Sequence, residues 1–93
     1  MSVLCKATIK AIKKVERMDI SGAVSVAYEI KYRDHLGRKG LALVFYPLAQ
    51  GVGFLKPGDR VGLGIQTKVY KWINFRGTID LTTENVIVFI ERL

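Results

Sequence analysis

The stretch LALVFYPLAQGVGFLKPGDRVGLG, residues 41–64, decides the fold, because it joins a buried strand to a second strand through a short helix. Residues 41–46 are apolar throughout, which is typical of a strand buried on both faces. The proline that opens residues 47–50 suits the first turn of a short helix. Residues 56–59, KPGD, have the proline and glycine of a type II turn. The stretch therefore predicts strand, short helix and strand in succession.

Outside this stretch, apolar and polar residues alternate with the period of half-buried strands. Residues 24–33, VSVAYEIKYR, are the clearest case, and residues 60–69 repeat the pattern. The first strand alternates until its phase slips at residues 12–15, where we predict a β-bulge. Residues 79–82 and 85–90 form the fifth strand, which we expect to be broken between these two segments.

Turn-forming residues separate the strands and complete a recognisable layout. Residues 19–22 (DISG) predict a turn, and residues 33–40 and 70–77 predict hairpin loops. Five strands with one helix between the third and the fourth are the layout of the OB-fold, an all-β, five-stranded Greek-key barrel. We expect one OB-fold domain over residues 1–93. An SH3-like barrel is the main alternative, but it has shorter strands and lacks a helix at this position.

Length and composition exclude several classes of protein. The chain has 93 residues, of which 49% are hydrophobic and 25% are charged, a globular balance that can bury one modest core. No apolar run approaches the roughly 20 residues that span a bilayer, and lysines interrupt any secretory signal near the N-terminus. A single cysteine, Cys5, excludes an internal disulfide. We therefore expect a cytoplasmic protein with no membrane partner.

The charge is strongly basic and favours a polyanionic partner. Fifteen Lys and Arg against eight Asp and Glu give a formal net charge of +7. Each phosphate neutralised by such residues releases condensed counterions, which drives nucleic-acid binding. Solubility alone is the alternative reading, since net charge also keeps proteins dispersed.

Catalytic and metal-binding chemistry has little support in the residues. His35 is the only histidine, and Cys5 lies on the apolar face of the first strand, where a small core role is the simpler interpretation. The glycines of residues 51–53 and 62–64 complete neither phosphate-binding motif. We predict a protein that is not an enzyme and needs no cofactor or metal.

Residues 70–77, YKWINFRG, combine three aromatic rings with two cations and are the strongest candidate binding segment. Nucleic-acid bases stack on aromatic side chains regardless of sequence, while nearby Lys and Arg hold phosphates. In the alternative, Trp72 or Phe75 closes the barrel mouth or forms a protein interface. The candidates in and beside this segment are Lys68, Tyr70, Lys71, Trp72, Phe75 and Arg76.

A second basic and aromatic cluster surrounds the predicted loop at residues 33–40. Its candidates are Tyr32, Arg33, Arg38 and Lys39, joined by Phe45 from the third strand. Phe45 and Tyr46 are adjacent and must point to opposite faces, so one is core and the other lies on the face that we consider for binding. Tyr32 has an alternative reading as a core residue, because it shares the phase of the apolar positions in residues 24–32.

Several segments together resemble the bacterial and mitochondrial single-stranded DNA-binding protein (SSB) family. FYPLA (45–49) and FLKPGDRV (54–61) are similar to the family's F-G-K-L-A and Y-L-K-K-G-x-x-V, and KW (71–72), Gly77 and TTENV (82–86) are similar to its R-K-W, loop glycine and T-T-E segment. YRD, residues 32–34, falls where the family has an aromatic, a basic and an acidic residue. The resemblance covers most of the chain.

The resemblance implies an OB-fold that acts as a homodimer or homotetramer in DNA replication and repair. It also implies that Tyr32, Phe45 and Trp72 stack bases, whereas a tryptophan of the family's third strand is replaced in the region of Lys39 and Gly40. The sequence stops at Leu93, after the barrel and without the family's acidic tail, so we expect a short member.

The residues and the resemblance together predict a protein that binds single-stranded DNA without strong sequence preference. Two other functions remain open on the residues alone. An RNA-binding OB module would use the same groove, since nothing in the sequence distinguishes a 2′-hydroxyl. A protein-interaction OB subunit, such as a primosome component, would use the aromatic residues as interface anchors.

Overall fold

Five strands follow one another along the chain, with one short helix between the third and the fourth. The computed structural model describes residues 3–45 and 48–93. The strands are β1 (Val3–Asp19), β2 (Val24–Asp34), β3 (Lys39–Phe45), β4 (Arg60–Ile73) and β5 (Ile79–Arg92), and a 3₁₀ helix covers Leu48–Phe54. The predicted strand end at Tyr46 and helix start at Pro47 lie outside the described residues. Within the described ranges, no helix is long and apolar enough to span a membrane.

The strands close into a barrel in the order β1-β2-β3-β5-β4. The pairs β1–β2, β2–β3 and β4–β5 are antiparallel, and β3 meets β5 in parallel at Leu43 and Val86. The ring closes where β4 returns to β1, with Leu4 opposite Gly64 and Thr8 opposite Arg60. This is the Greek-key connectivity of the five-stranded OB-fold and confirms the predicted fold.

Alternating residues of the strands fill the barrel with small and branched side chains. The buried core consists of Ala7, Ile9, Ile30, Ala42, Val44, Ala49, Val61, Leu63 and Ile87. In β3, residues 42–44 are all buried, so the strand is covered on both faces at its centre, whereas Leu41, which the prediction also placed in the buried strand, is 46% exposed. Cys5 packs half-buried against the core, as its place on the apolar face predicted, and burial raises the pKa of its thiol.

The bulge in β1 lies nearer the N-terminus than predicted. Ile9 is opposite Tyr32 and Ala11 is opposite Lys31, so Lys10 is the extra residue. The placement at residues 12–15 was therefore wrong. Ile9 and Ile12 are three positions apart, so strict alternation would place them on opposite faces of β1. The extra residue lets both side chains point towards the core.

Strands β4 and β5 continue well past the barrel as a paired hairpin. β4 runs to Ile73 and β5 is continuous, so the expected loop at residues 70–73 and the expected break at residues 83–84 were both wrong. We call residues 66–86 the β4–β5 arm. Its tip meets the end of the β1–β2 hairpin, where Met18 lies opposite Ile73 and Asp19 opposite Trp72. The β4–β5 arm and the β1–β2 hairpin that it meets make the molecule elongated, with principal extents of 40 × 24 × 19 Å.

Side chains at the hairpin ends close the predicted turns. Gly58 has a φ of 98°, and the Asp59 amide donates to the Lys56 carbonyl at 3.1 Å, which confirms the type II turn. At the end of β1, a carboxyl oxygen of Asp19 accepts from the amides of Ser21 and Ala23 at 2.9 and 3.1 Å. Asp34 is bonded in the same way at the β2–β3 turn, so the local sequence fixes both turns.

The carboxylates of these two turns make the stability of the fold depend on pH in the acid range. The hydrogen bond from the Ser21 hydroxyl lowers the pKa of Asp19 from 3.8, and bonds from Arg38 lower the pKa of Asp34. Because both folded pKa values are depressed, their stabilisation is present above pH 3.8 and is lost as pH falls through the folded values. We expect Asp19→Ala/Asp34→Ala to lower Tm at neutral pH and to match the wild type in strong acid. An equal Tm difference at every pH in thermal melts would contradict this.

Candidate nucleic-acid interface

Three aromatic rings contact one another on the outside of the barrel, and we call Phe45, Tyr70 and Trp72 the ring cluster. Tyr70 and Trp72 are stacked, with centroids 4.9 Å apart and planes at 12°. Phe45 lies 5.7 Å from Tyr70 and 6.3 Å from Trp72. These separations are typical of stabilising aromatic pairs, so the three rings form one connected cluster in which Tyr70 and Trp72 stack on each other.

The sheet register explains why residues so distant in sequence meet. In β3, Ala42 and Val44 point into the core, so Phe45 points out on the opposite face. Tyr70 and Trp72 are two residues apart in β4 and share one face. Cross-strand neighbours on that outer face, Ala27, Leu43 and Val86, are buried although they do not belong to the core cluster. The ring cluster therefore lies in a covered groove rather than on an open sheet.

Trp72 is much less exposed than the sequence predicted. Only 7% of its surface is accessible, and it lies within β4 instead of a loop. The physical reason is that the β4–β5 arm continues past it and Tyr70 covers one ring face. The half-buried rings of Phe45 and Tyr70 are thus the accessible part of the ring cluster. The buried Trp72 ring packs against both of them.

A carboxylate stands beside the ring cluster. Burial raises the pKa of the Tyr70 hydroxyl, and the negative charge of Glu84 raises it further, which places Glu84 close to that hydroxyl. The Tyr70 hydroxyl is therefore uncharged at physiological pH. Lys68 lies directly opposite Glu84 across the β4–β5 ladder, so the groove carries both signs of charge at this end.

The other end of the outer face is uniformly basic. Lys10, Lys31, Arg33 and Lys39 line a shallow pocket of about 520 Å³ together with Leu41, and we call these four cations the basic cluster. Arg33 lies directly opposite Lys39 across β2 and β3, and all four cations are exposed. Phosphates could bind here without displacing any ion pair.

The sequence identified only half of the basic cluster. Arg33 and Lys39 were predicted site residues, whereas the sequence left Lys10 and Lys31 open as either phosphate contacts or solvated surface charge. The bulge turns Lys10 out of the ladder beside the end of β2, which brings it to the same pocket as Lys31. No local pattern in the sequence would have found it, because the position of the bulge is decided by pairing with β2.

Tyr32 lies apart from the ring cluster, on the face that its phase in β2 predicted as the alternative. Its half-buried ring packs against the core and crosses over Gly40 of β3. Burial is the main cause that raises the pKa of its hydroxyl. The ring also lines the pocket of the basic cluster, so it contacts that site from the core side.

Gly40 is required for this position of the Tyr32 ring, because a Cβ built on Gly40 would overlap its carbons. We expect Gly40→Ala to destabilise the fold by about 1–3 kcal/mol, the usual cost of overpacking. Gly62→Ala is the matched control, since its nearest neighbour would be the mobile Glu91 side chain at 3.3 Å. Urea unfolding measures both. A Tyr32→Ala background should abolish most of the Gly40→Ala effect, and an undiminished effect would contradict the ring overlap.

The remaining predicted site residues are spread over the turns and the far face of the arm. Arg38 donates to the Asp34 carboxylate at 2.9 Å within the β2–β3 turn. Lys71 points to the opposite face of β4 from Tyr70 and Trp72. Phe75 is 95% exposed at the tip of the β4–β5 arm, with the Arg76 guanidinium 5.5 Å from its ring centroid. The structure does not bring these residues to the ring cluster.

The described part of the chain holds no candidate metal site. Within residues 3–45 and 48–93, no group of three or more His, Cys, Asp or Glu side chains could hold a metal ion. His35 is exposed in the β2–β3 turn, where its backbone amide donates to the Lys6 carbonyl at 3.0 Å.

Solved structures with a similar architecture include single-stranded DNA-binding proteins. The mitochondrial single-stranded DNA binding protein Rim1 of S. cerevisiae superposes over 100% of this chain and 95% of its own, with a TM-score of 0.64 and 16% identity. A second crystal form of Rim1 gives a TM-score of 0.55 and 17% identity, over 100% of this chain and 94% of its own. The small single-stranded DNA-binding protein of Streptomyces coelicolor gives a TM-score of 0.51 and 19% identity, over 99% and 93%. At these identities the likeness establishes the OB-fold.

Sequence comparison adds no closer relative. No protein-family model matches the chain, and no curated protein matches it.

Proposed function

We propose that this protein binds single-stranded DNA without strong sequence preference and without catalysis. The observation that carries the proposal is that the ring cluster and the basic cluster lie on one outer face of an OB barrel. Bases would stack on the accessible rings of Phe45 and Tyr70, backed by Trp72. Phosphates would cross the basic cluster, and Lys68 would add charge near the rings. The likeness to SSB structures supports this use of the fold.

Five other candidates from the sequence belong neither to the ring cluster nor to the basic cluster. Their contacts with DNA stay predictions. Phe75 and Arg76 could meet a strand that continues past the tip of the β4–β5 arm. Tyr32 lines the pocket of the basic cluster from the core side, Arg38 is bonded to Asp34 in the β2–β3 turn, and Lys71 faces away from the ring cluster. The roles in DNA replication and repair are likewise predictions. The cytoplasmic location is also a prediction, which cell fractionation tests.

Titration with oligo-dT at several salt concentrations tests the proposed function. If about four phosphates are neutralised, the logarithm of affinity should fall with the logarithm of salt at a slope of about −3. Competition with RNA of equal length decides between DNA and RNA, and tighter RNA binding would favour the RNA module. Absence of oligonucleotide binding, or affinity that salt does not change, would overturn the proposal in favour of a protein-interaction domain.

We also propose that the protein self-associates as a homodimer or homotetramer. The side of the β4–β5 arm that faces away from the ring cluster exposes 63% of Val69, 62% of Ile79 and 68% of Leu81. A connected apolar surface of this kind usually marks an interface. Sedimentation equilibrium measures the state, and Leu81→Glu should shift it towards monomer. A monomer at high concentration would contradict self-association.

A further inference from the structure

Two glycines of β4 open a pocket on the outside of the barrel, away from the ring cluster and the basic cluster. Leu63 between them points into the core, so Gly62 and Gly64 both face outward. Side-chain atoms of Leu4 from β1 and Phe89 from β5 would lie 3.5 and 3.0 Å from a Cβ built on Gly64. These two side chains therefore stand on either side of β4, and the pocket beside them has a volume of about 450 Å³.

The walls of this pocket, which we call the end pocket, are apolar with one acidic side chain. Leu4 and Phe89 expose 75% and 46% of their surface. Exposed apolar side chains that line one pocket usually mark a binding surface. Glu91, opposite Gly62 in β5, is the one acidic side chain among the described lining residues. The end pocket therefore suits an apolar group with a positive charge beside it. Its other described lining residues are Cys5, Lys6, His35, Gly62, Leu63 and Leu93.

A group of this kind projects from the tip of the β4–β5 arm. Phe75 is almost fully exposed there, and the Arg76 guanidinium lies 5.5 Å from its ring centroid. The turn is held by the Asn74 side chain, which accepts from the amides of Arg76 and Thr78 at 2.9 and 3.1 Å. A ring presented by such a preformed turn loses little conformational freedom on binding. The tip is thus complementary to the end pocket in both shape and charge.

The tip and the end pocket lie too far apart to meet within one chain. Gly62 and Ile73 are eleven residues apart along β4, which is about 36 Å in an extended strand. The long axis of the molecule is 40 Å, so the two features lie near its opposite ends. Complementary surfaces at opposite ends of one molecule make a heterologous contact, which repeats from copy to copy.

We propose that the Phe75 ring of one copy enters the end pocket of the next copy and that Arg76 pairs with Glu91 there. The contact joins copies head to tail along one DNA strand, so that a bound copy recruits the next. It is distinct from the exposed apolar side of the β4–β5 arm. This inference rests on the proposed function, because the strand aligns the copies.

Occupancy of oligo-dT strands tests the head-to-tail contact. The shortest strand that binds one protein is determined first, and a strand of twice that length then offers two adjacent sites. Electrophoretic mobility shift separates free, singly occupied and doubly occupied strands. We expect the wild type to fill the second site about tenfold more tightly than the first, as an interface with one aromatic anchor gives.

Charge reversal tests the pair between copies. Arg76→Glu and Glu91→Arg should each abolish the preference for the second site, because each brings like charges together. The double variant Arg76→Glu/Glu91→Arg restores opposite charges and the wild-type net charge, so it should recover most of the preference. The preference compares two sites on the same strand, which cancels the general attraction between protein and DNA.

Neutral variants test the apolar part of the contact. Phe75→Ala removes the ring and Leu4→Ala removes one wall of the end pocket, so each should reduce the preference to about one. Leu4→Ala should also keep the wild-type affinity for the first site. Leu36→Ala is the matched control, since Leu36 is 65% exposed but does not line the end pocket, and it should keep the preference.

The outcomes separate this inference from the proposed function. Independent filling of the two sites by the wild type, or a preference that survives Phe75→Ala and both charge reversals, would overturn the contact and leave DNA binding intact. A Phe75→Ala variant that loses first-site affinity but keeps the preference would assign the ring to DNA and also overturn the contact. Failure of the wild type to bind any strand would overturn both proposals.

Discussion

The double variant Phe45→Ala/Tyr70→Ala is expected to lose nearly all affinity for oligo-dT. Stacking of one base on an aromatic ring contributes about 1–3 kcal/mol, which is about 5- to 150-fold in affinity. Each of these rings offers a half-buried face to the groove. Because the two rings touch at 5.7 Å, the double loss should differ from the sum of the single losses.

The controls separate lost stacking from lost structure. Tyr70→Phe keeps the ring and should bind oligo-dT as the wild type does. Phe89→Ala removes a more exposed ring, 46% accessible, which packs beside Gly64 away from the ring cluster. Circular dichroism checks that each variant is folded before its affinity is measured by anisotropy. A folded double variant that binds oligo-dT normally would show that the ring cluster is structural only.

The fold could be predicted because its decisive signals are local. The alternation of residues 24–33 and the strand, helix and turn of residues 41–64 depend on near neighbours and on the fixed dihedral angle of proline. These signals gave the right number and order of elements. The bulge was misplaced because Ala11 and Ile12 are both apolar, so alternation alone fits a slip on either side of them. Pairing with the distant β2 decides the position.

The length of the β4–β5 arm was missed because aromatic and basic residues were interpreted as a loop. The two lysines of residues 68–73, KVYKWI, lie three positions apart, so this segment lacks the period of two that marks a half-buried strand. The true turn carries its own signal in Asn74 and Gly77. The Asn74 side chain accepts from the amides of Arg76 and Thr78, and Gly77 has a φ of 80°. Weighting this turn chemistry above composition would have extended β4 to Ile73.

The sequence could nominate site residues but could not assign them to a face. Lys71 and Trp72 are neighbours in β4 and therefore point in opposite directions, although both were candidates for one site. Arg33 and Lys39 meet only because of the β2–β3 register. The burial of Trp72 depends on contacts between three strands that are far apart in the chain, which no local pattern records.

Removing the charge of the basic cluster should change how binding responds to salt. In Lys31→Gln/Arg33→Gln/Lys39→Gln, three phosphate contacts are lost, and each contributes about 0.7 to the slope of log affinity against log salt. The slope should therefore become shallower by about 2, and affinity near 0.1 M salt should fall by about 100-fold. Stacking on the ring cluster and about one phosphate contact would remain, so the residual slope should be about −1.

A control of equal net charge distinguishes site contacts from general attraction. Lys14→Gln/Lys56→Gln/Arg92→Gln also removes three exposed positive charges, but none of the three lines the basic cluster. If phosphates follow the outer face between the two clusters, this control keeps most of the wild-type slope. Equal losses in the two triple variants would mean that the net charge of +7 attracts DNA without a defined path. The difference between the two slopes is thus the direct measure of whether the basic cluster is a site.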